Sequence, residues 1–320
     1  ARAVIEAPRS APFRHGLAGI TIGMNPLDRD AVIEALEEGT SWYGPDGVVR
    51  HAIGAIDLAL WDICGKVAGL PVRQLLNEEA PDVLPCYASL YCPDSIDEVV
   101  NLARRCRREG YRSAKFGWGP IGADAAFDEE LVAAAREALG PETLLMIDAG
   151  RAWDVDTALR RAERLQPYDL HWLEEPLAPF DFAGYEQLRL ASDIPIAAGE
   201  ALTAMGDFEQ LIEAGCVDVV QPDLGHAGGL TAALHIAELA QEKGIRAVPH
   251  AFGTGVVLAA SVQWAAATGS TTEHSLSFSP LARDLIAHDM RFADGILHLP
   301  PTPGLGVEID EDVVSRYRVD

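Results

Sequence analysis

Leu144-Leu145-Met146-Ile147-Asp148 is a short apolar run ending in an acid, and the pattern returns twice at one interval. His171-Trp172-Leu173 runs into Glu174, and Ile194-Pro195-Ile196-Ala197-Ala198-Gly199 runs into Glu200. Positions 148, 174 and 200 stand 26 residues apart, about one strand–helix repeat. Three successive parallel strands of a β/α barrel would each deliver an acid to the same end. Three carboxylates converging there repel one another unless a cation lies between them. Asp148, Glu174 and Glu200 offer only hard oxygen ligands, a set that suits Mg²⁺ better than zinc or copper.

Working outward, short apolar stretches fall at 84–91, 113–118, 144–148, 171–174, 194–200, 217–223, 245–250 and 271–273. Helix-period segments lie between them, for example 128–139, 155–165, 231–243 and 255–266. Gly140-Pro141, Gly215, Gly244 and Gly269 stand where helices should stop. Eight strands in this alternation favour a TIM-type α/β barrel over an open sheet. The first 80 residues break the rhythm: 26–38 and 52–60 read as helices, with Asp62 and Lys66 placed for an i,i+4 pair. The tail after Asp294 is rich in proline and glycine. The expected division is a barrel of 83–293 and a small domain made from 1–82 and 294–320.

With 320 residues, 48% hydrophobic and 23% charged, the chain is large enough for a barrel and a small second unit. A net charge of −24 argues against nucleic acid and anionic membranes as partners. No apolar run approaches the roughly 18 residues of a membrane helix, and Ala1-Arg2-Ala3-Val4-Ile5-Glu6 lacks a signal-peptide layout. Cys64, Cys86, Cys92, Cys106 and Cys216 show neither CxxC nor zinc spacing, which predicts reduced thiols in a cytoplasmic protein.

Other strand ends carry further candidates. Glu175 is ambiguous beside Glu174, since strand alternation lets one of the two face the lumen. Gln221-Pro222-Asp223 and Val248-Pro249-His250 put Asp223 and His250 on adjacent strands. A carboxylate on Nδ1–H would fix the imidazole tautomer and leave Nε2 as a general base. Glu273, ending the last strand, would donate a proton or hydrogen bond if its pKa were raised, or form a plain ion pair. Lys115, in Ser113-Ala114-Lys115-Phe116-Gly117-Trp118, would hold a substrate carboxylate, accept a proton, or balance the acids nearby. Trp118 and Trp153 follow strand ends and are candidates for the pocket wall.

The order Lys115, Asp148, Glu174-Glu175-Pro176, Gly199-Glu200, Asp223, His250 resembles the enolase superfamily in its mandelate racemase subgroup. Ala55-Ile56-Asp57-Leu58-Ala59-Leu60-Trp61-Asp62-Ile63-Cys64-Gly65-Lys66 resembles that family's capping-domain signature, so the likeness runs from about His51 onward. The resemblance implies a modified (β/α)7β barrel with an α+β cap and Mg²⁺ held by Asp148, Glu174 and Glu200, which selects Glu174 over Glu175. Asp223 followed by His250 is similar to the racemase subgroup rather than to muconate cycloisomerases, which place a lysine on the sixth strand. Two departures stand out. Gly117 occupies the place of the second lysine of the family's Lys-x-Lys. The N-terminal meander and its mobile loop have no clear counterpart, so a cap truncated at its N-terminus is expected. The implied activity is removal of the proton alpha to a carboxylate through an enediolate, as a lyase (hydro-lyase) dehydrating a sugar acid to a 2-keto-3-deoxy acid. A racemase or epimerase of a 2-hydroxy acid is the alternative, and a non-catalytic metal-binding scaffold the remote one. The expected partner is a small-molecule carboxylate, and a homo-oligomer is expected.

Overall fold

Four helices come first: α1 (Leu17–Thr21), α2 (Arg29–Thr40), α3 (Val48–Ala68) and α4 (Val72–Leu76). The structure is a computed structural model that describes residues 16–42, 44–276, 279–288 and 290–318. Residues 1–15 of the expected cap, where a meander would begin, therefore lie outside the described residues. Leu17, Val32, Leu36, Val49, Ile53 and Leu60 give α1–α3 a core of their own.

Strands β1 (Val83–Tyr91), β2 (Ser113–Gly117), β3 (Leu144–Asp148), β4 (Leu170–Glu174), β5 (Ile196–Ala198), β6 (Val219–Val220), β7 (Arg246–Ala247) and β8 (Thr272–Ser275) then alternate with helices. These are α5 (Ile96–Arg108), α6 (Ala125–Leu139), α7 (Val155–Leu165), α8 (Phe182–Ala191), α9 (Met205–Glu213), α10 (Leu230–Glu242) and α11 (Gly255–Thr268). Aspartates 124, 154 and 181 cap α6, α7 and α8 by accepting from first-turn N–H groups. Each strand from β1 to β6 pairs in parallel with the next, and β8 pairs in parallel with β1. Between β7 and β8 side chains make the join: Ser270 Oγ donates to Ala247 O at 2.7 Å, and Glu273 Oε2 accepts from Ala251 N at 2.7 Å. The result is the modified (β/α)7β barrel expected from the sequence.

The lumen is filled by Tyr87, Met146, Trp172, Ala197, Val219 and Val248. Two residues beyond Met146 and Trp172, strand alternation presents Asp148 and Glu174 on the same face. Three strands are shorter than the sequence predicts. Pro195, Pro222 and Pro249 have no N–H to give the ladder, so β5, β6 and β7 hold three, two and two residues. Glu200, Asp223 and His250 accordingly sit beyond their strands, although Asp223 and His250 still face each other through an isolated parallel bridge.

After the barrel come α12 (Pro280–Arg283), β9 (Ile286–His288), β10 (Arg291–Ala293), β11 (Ile296–His298), β12 (Val307–Ile309) and α13 (Glu311–Tyr317). β10 and β11 form a hairpin turning at Asp294 and Gly295, both with positive φ, and β11 pairs antiparallel with the start of β1. Residue 294, where the tail segment of the small domain was expected to begin, is thus part of the turn of this hairpin. Cap and barrel meet along α3 and α10. Thr231 N donates to Asp57 Oδ2 at 3.0 Å, and Trp61 Nε1 donates to Thr231 Oγ1 at 2.9 Å. A Cβ on Gly54 would stand 2.9 Å from Gly229 N, so the approach of these elements requires glycine there. The expected Asp62–Lys66 pair forms at 2.9 Å, and Asp62 Oδ1 also accepts from Leu305 N at 2.8 Å, tying the tail to α3. Among the described residues no helix is long and apolar enough to cross a membrane.

Candidate metal centre and catalytic residues

β3 and β4 place Asp148 and Glu174 in register as neighbours. Gly199, at φ 132°, bends the chain after β5 so that Glu200 joins them. One carboxylate oxygen from each of the three lies within 4.8 Å of the others. All three residues are buried. Burial, with the charge of Glu174 added, pushes the Asp148 carboxyl up to about 7, and burial also raises Glu200. Close, buried, hard oxygens that resist joint ionisation are what a small divalent cation relieves, so these residues fit Mg²⁺.

Glu174 is fully buried and held from several sides. Its Oε2 accepts from Trp172 Nε1 and from Gln221 Nε2, both at 2.8 Å, while Lys115 Nζ donates to Oε1. Trp172 and Gln221 were not picked out from the sequence. The usable signal was periodicity, since Trp172 precedes Glu174 by two residues and Gln221 precedes Asp223 by two, on the same lumen-facing phase.

His250 stands between two carboxylates. Its Nδ1 is 2.7 Å from Asp223 Oδ2, and its Nε2 is 3.1 Å from Glu200 Oε2. Asp223 is fixed by its other oxygen, which accepts from Gly225 N at 2.7 Å and His226 N at 3.1 Å. Burial disfavours the imidazolium, but Glu200 and the Asp223 hydrogen bond outweigh it and raise His250 to about 10. Asp223 orients the ring from one side, which leaves Nε2 as the working nitrogen once Glu200 is engaged elsewhere.

Lys115 is 3% exposed, and its ammonium also reaches Glu273 Oε1 at 3.3 Å. Burial opposes the charge, yet Glu174 and Glu273 raise the Lys115 pKa. In this arrangement Lys115 balances the charges of Glu174 and Glu273. Glu273 lies inside β8, not at its end, and the condition for its acting as a proton donor is reversed. Burial favours its neutral form, but Lys115 and His250 overcome this and hold the carboxyl down to about 2. It is an ionised acceptor, bonded to Ala251 N. Gly117 shares the register of Asp148, and a Cβ there would stand 2.5 Å from the Asp148 Cβ.

Of the two tryptophans, Trp118 is 44% exposed and follows β2. Trp153 is buried in the core, where its Nε1 donates to Gly122 O at 3.4 Å, and it does not form the pocket wall the sequence suggested. Glu175 is buried at a positive φ of 39° and faces Arg151, with Nε to Oε2 at 3.3 Å. Burial, and then the charge of Glu200, raise its carboxyl to about 8.

Residues 98–313 match the family model described as enolase C-terminal domain-like. Residues 10–77 match the mandelate racemase / muconate lactonizing enzyme N-terminal domain, further toward the start than the likeness seen from His51. A D-galactarolactone cycloisomerase of Agrobacterium fabrum is 32% identical over 94% of this chain and 83% of its own. An L-talarate/galactarate dehydratase of Salmonella typhimurium is 34% identical over 92% of this chain and 72% of its own. Among solved structures, a racemase from Streptomyces coelicolor with bound magnesium superposes with a TM-score of 0.85 at 30% identity, covering 95% of this chain and 82% of that one.

Proposed function

Because this chain belongs to the enolase superfamily, in its mandelate racemase subgroup, we propose that it is a Mg²⁺-dependent lyase that dehydrates a sugar acid to a 2-keto-3-deoxy acid. Asp148, Glu174 and Glu200 would hold the metal, which when bound stabilises the second negative charge that develops on the substrate carboxylate. His250, oriented by Asp223, removes the proton at C2, and the electron pair of that C–H bond enters the enediolate. Collapse of the enediolate breaks the C3–O bond. The departing hydroxide takes the proton from His250 and leaves as water, and the enol product tautomerises to the keto acid. Lys115 and Glu273 keep the floor of the site charge-balanced through this cycle.

The observation that carries this reading is His250, hydrogen-bonded to Asp223 at one nitrogen and touching the carboxylate trio with the other. Racemisation needs a second group on the opposite face of the enediolate. At that place stands Gly117, and Lys115 is held by two carboxylates. Support for the sugar-acid class comes from the two relatives named above. The test is a panel of acid sugars and their lactones incubated with enzyme and Mg²⁺ and assayed for 2-keto acids. Formation of a 2-keto-3-deoxy acid supports dehydration. Lactone consumption alone would assign cycloisomerisation, and epimer exchange alone racemisation.

A further inference from the structure

Five non-glycine residues among those described hold a positive φ, and three of them come just past the ends of three consecutive strands. They are Trp118 at 61° after β2, Arg151 at 64° after β3 and Glu175 at 39° after β4. This conformation is unfavourable for residues with side chains and persists where surrounding structure enforces it. Here backbone bonds do so: Trp118 N donates to Asp148 O at 3.3 Å, Arg151 N to Glu175 O at 2.6 Å, and Glu175 N to Ala197 O at 2.9 Å. The three side chains meet. The Arg151 guanidinium carbon lies 5.3 Å from the centre of the Trp118 ring, and its Nε is 3.3 Å from Glu175 Oε2.

The contact with Glu175 accounts for only one edge of Arg151. The two terminal amino groups make no hydrogen bond within the described residues, the side chain is 33% exposed, and its partner Glu175 lies close enough to Glu200, Asp148 and Glu174 to feel their charges. Trp118 and Phe252, 44% and 56% exposed, supply aromatic surface after β2 and β7. The guanidinium is thus held by Glu175 at one edge and lies within cation–π range of Trp118, with its paired terminal donors left open. That geometry matches a carboxylate, which accepts two parallel N–H bonds.

We propose that Arg151 is a specificity-determining residue that takes the far carboxylate of a dicarboxylic sugar acid and so selects diacids over monoacids ending in a hydroxyl. The inference deepens the dehydration reading and rests on it for the near carboxylate. A terminal hydroxyl accepts fewer and weaker bonds and leaves the guanidinium partly desolvated without compensation.

The test has a turnover arm and a binding arm, both on the full chain with Mg²⁺. In the first, galactarate and galactonate, which share stereochemistry and differ at the far end, are compared as substrates for wild type, Arg151→Gln and Arg151→Lys. The diacid should be preferred by about 10–100-fold in kcat/KM. Arg151→Gln should abolish that preference, the diacid losing far more than the monoacid, and Arg151→Lys should keep it only in part. In the second arm, calorimetry compares adipate with hexanoate, neither of which carries a hydroxyl to eliminate. Wild type should prefer adipate, and Arg151→Gln should not. Equal use of both acids by wild type, or an equal loss for both in Arg151→Gln, overturns the inference and leaves dehydration standing. An adipate preference that depends on Arg151 without turnover of any sugar acid keeps the inference and removes the dehydration reading. If Arg151→Gln does not fold, the wild-type comparison and Arg151→Lys still decide.

Discussion

Gly117 leaves no room for a side chain beside Asp148. The two are register partners on β2 and β3, and a Cβ on Gly117 would come within 2.5 Å of the Asp148 Cβ and 2.9 Å of its Oδ2. The missing second lysine of Lys-x-Lys is therefore not a simple vacancy. Asp148 leans into the space a side chain at 117 would take, and the metal site and the one-sided base arrangement are coupled through this contact.

Gly117→Ala should displace Asp148 and weaken Mg²⁺ binding by about 10–100-fold, the range seen when the support of a metal ligand is disturbed. Isothermal titration with Mg²⁺ measures this. Gly117→Lys should fail in the same way rather than gain racemase activity. Unchanged Mg²⁺ affinity in Gly117→Ala would show that Asp148 relaxes without cost.

His250→Asn should lower turnover by about 10³-fold or more while Mg²⁺ affinity stays within a few-fold, because the amide side chain cannot act as a base. Asp223→Asn should lose about 10²–10⁴-fold, since the imidazolium formed during proton transfer loses its counter-charge. Steady-state kinetics paired with Mg²⁺ titration separate these effects from simple loss of metal.

Magnesium should stabilise the protein more at pH 8 than at pH 5.5. Burial and mutual repulsion raise Asp148 to about 7 and lift Glu200, both above the carboxylate range of an unfolded chain, near 4. The metal-free folded state then holds protons that the unfolded state has released. Stability is fully present below about pH 4 and is lost as pH rises through about 7. His250, raised to about 10, pushes in the same direction, while Glu273, held at about 2, contributes a constant amount across this window. A divalent cation favours the ionised carboxylates and removes the loss. Calorimetric Tm with and without Mg²⁺ across this range checks the sign, and a Mg²⁺ shift that shrinks as pH rises would contradict it.

Lys115→Met should destabilise the metal-free chain by about 3–5 kcal/mol, because Glu174 and Glu273 would remain buried without their common cation. Saturating Mg²⁺ should recover part of that loss through Glu174. Denaturant unfolding in both conditions reads the difference. An equal loss with and without metal would mean that Lys115 serves Glu273 alone.

The barrel was legible because its code is periodic. The 26-residue steps from Asp148 to Glu174 to Glu200 and the alternation of apolar runs with helix-period segments are local in sequence, and the structure keeps them. Strand lengths were less legible, since Pro195, Pro222 and Pro249 sit in apolar surroundings that read as strand while withholding ladder donors. The protonation of Glu273 could not be read at all: it depends on Lys115, far away in the chain and 3.3 Å away in space. Trp153 looked like its exposed counterpart Trp118 because both follow strands, and only packing separates them. Arg151 carried no motif, and its place emerges from backbone turns that juxtapose three strand ends.

Incubation of the enzyme and Mg²⁺ with a reactive sugar acid in D₂O, followed by NMR of substrate and product, is the most direct test of one-faced proton abstraction by His250. A single C2 epimer should be consumed and a 2-keto-3-deoxy acid should form, with any deuterium in recovered substrate at C2 and its configuration retained. Accumulation of the opposite epimer carrying deuterium, without a keto acid, would contradict this and make Lys115 the second base.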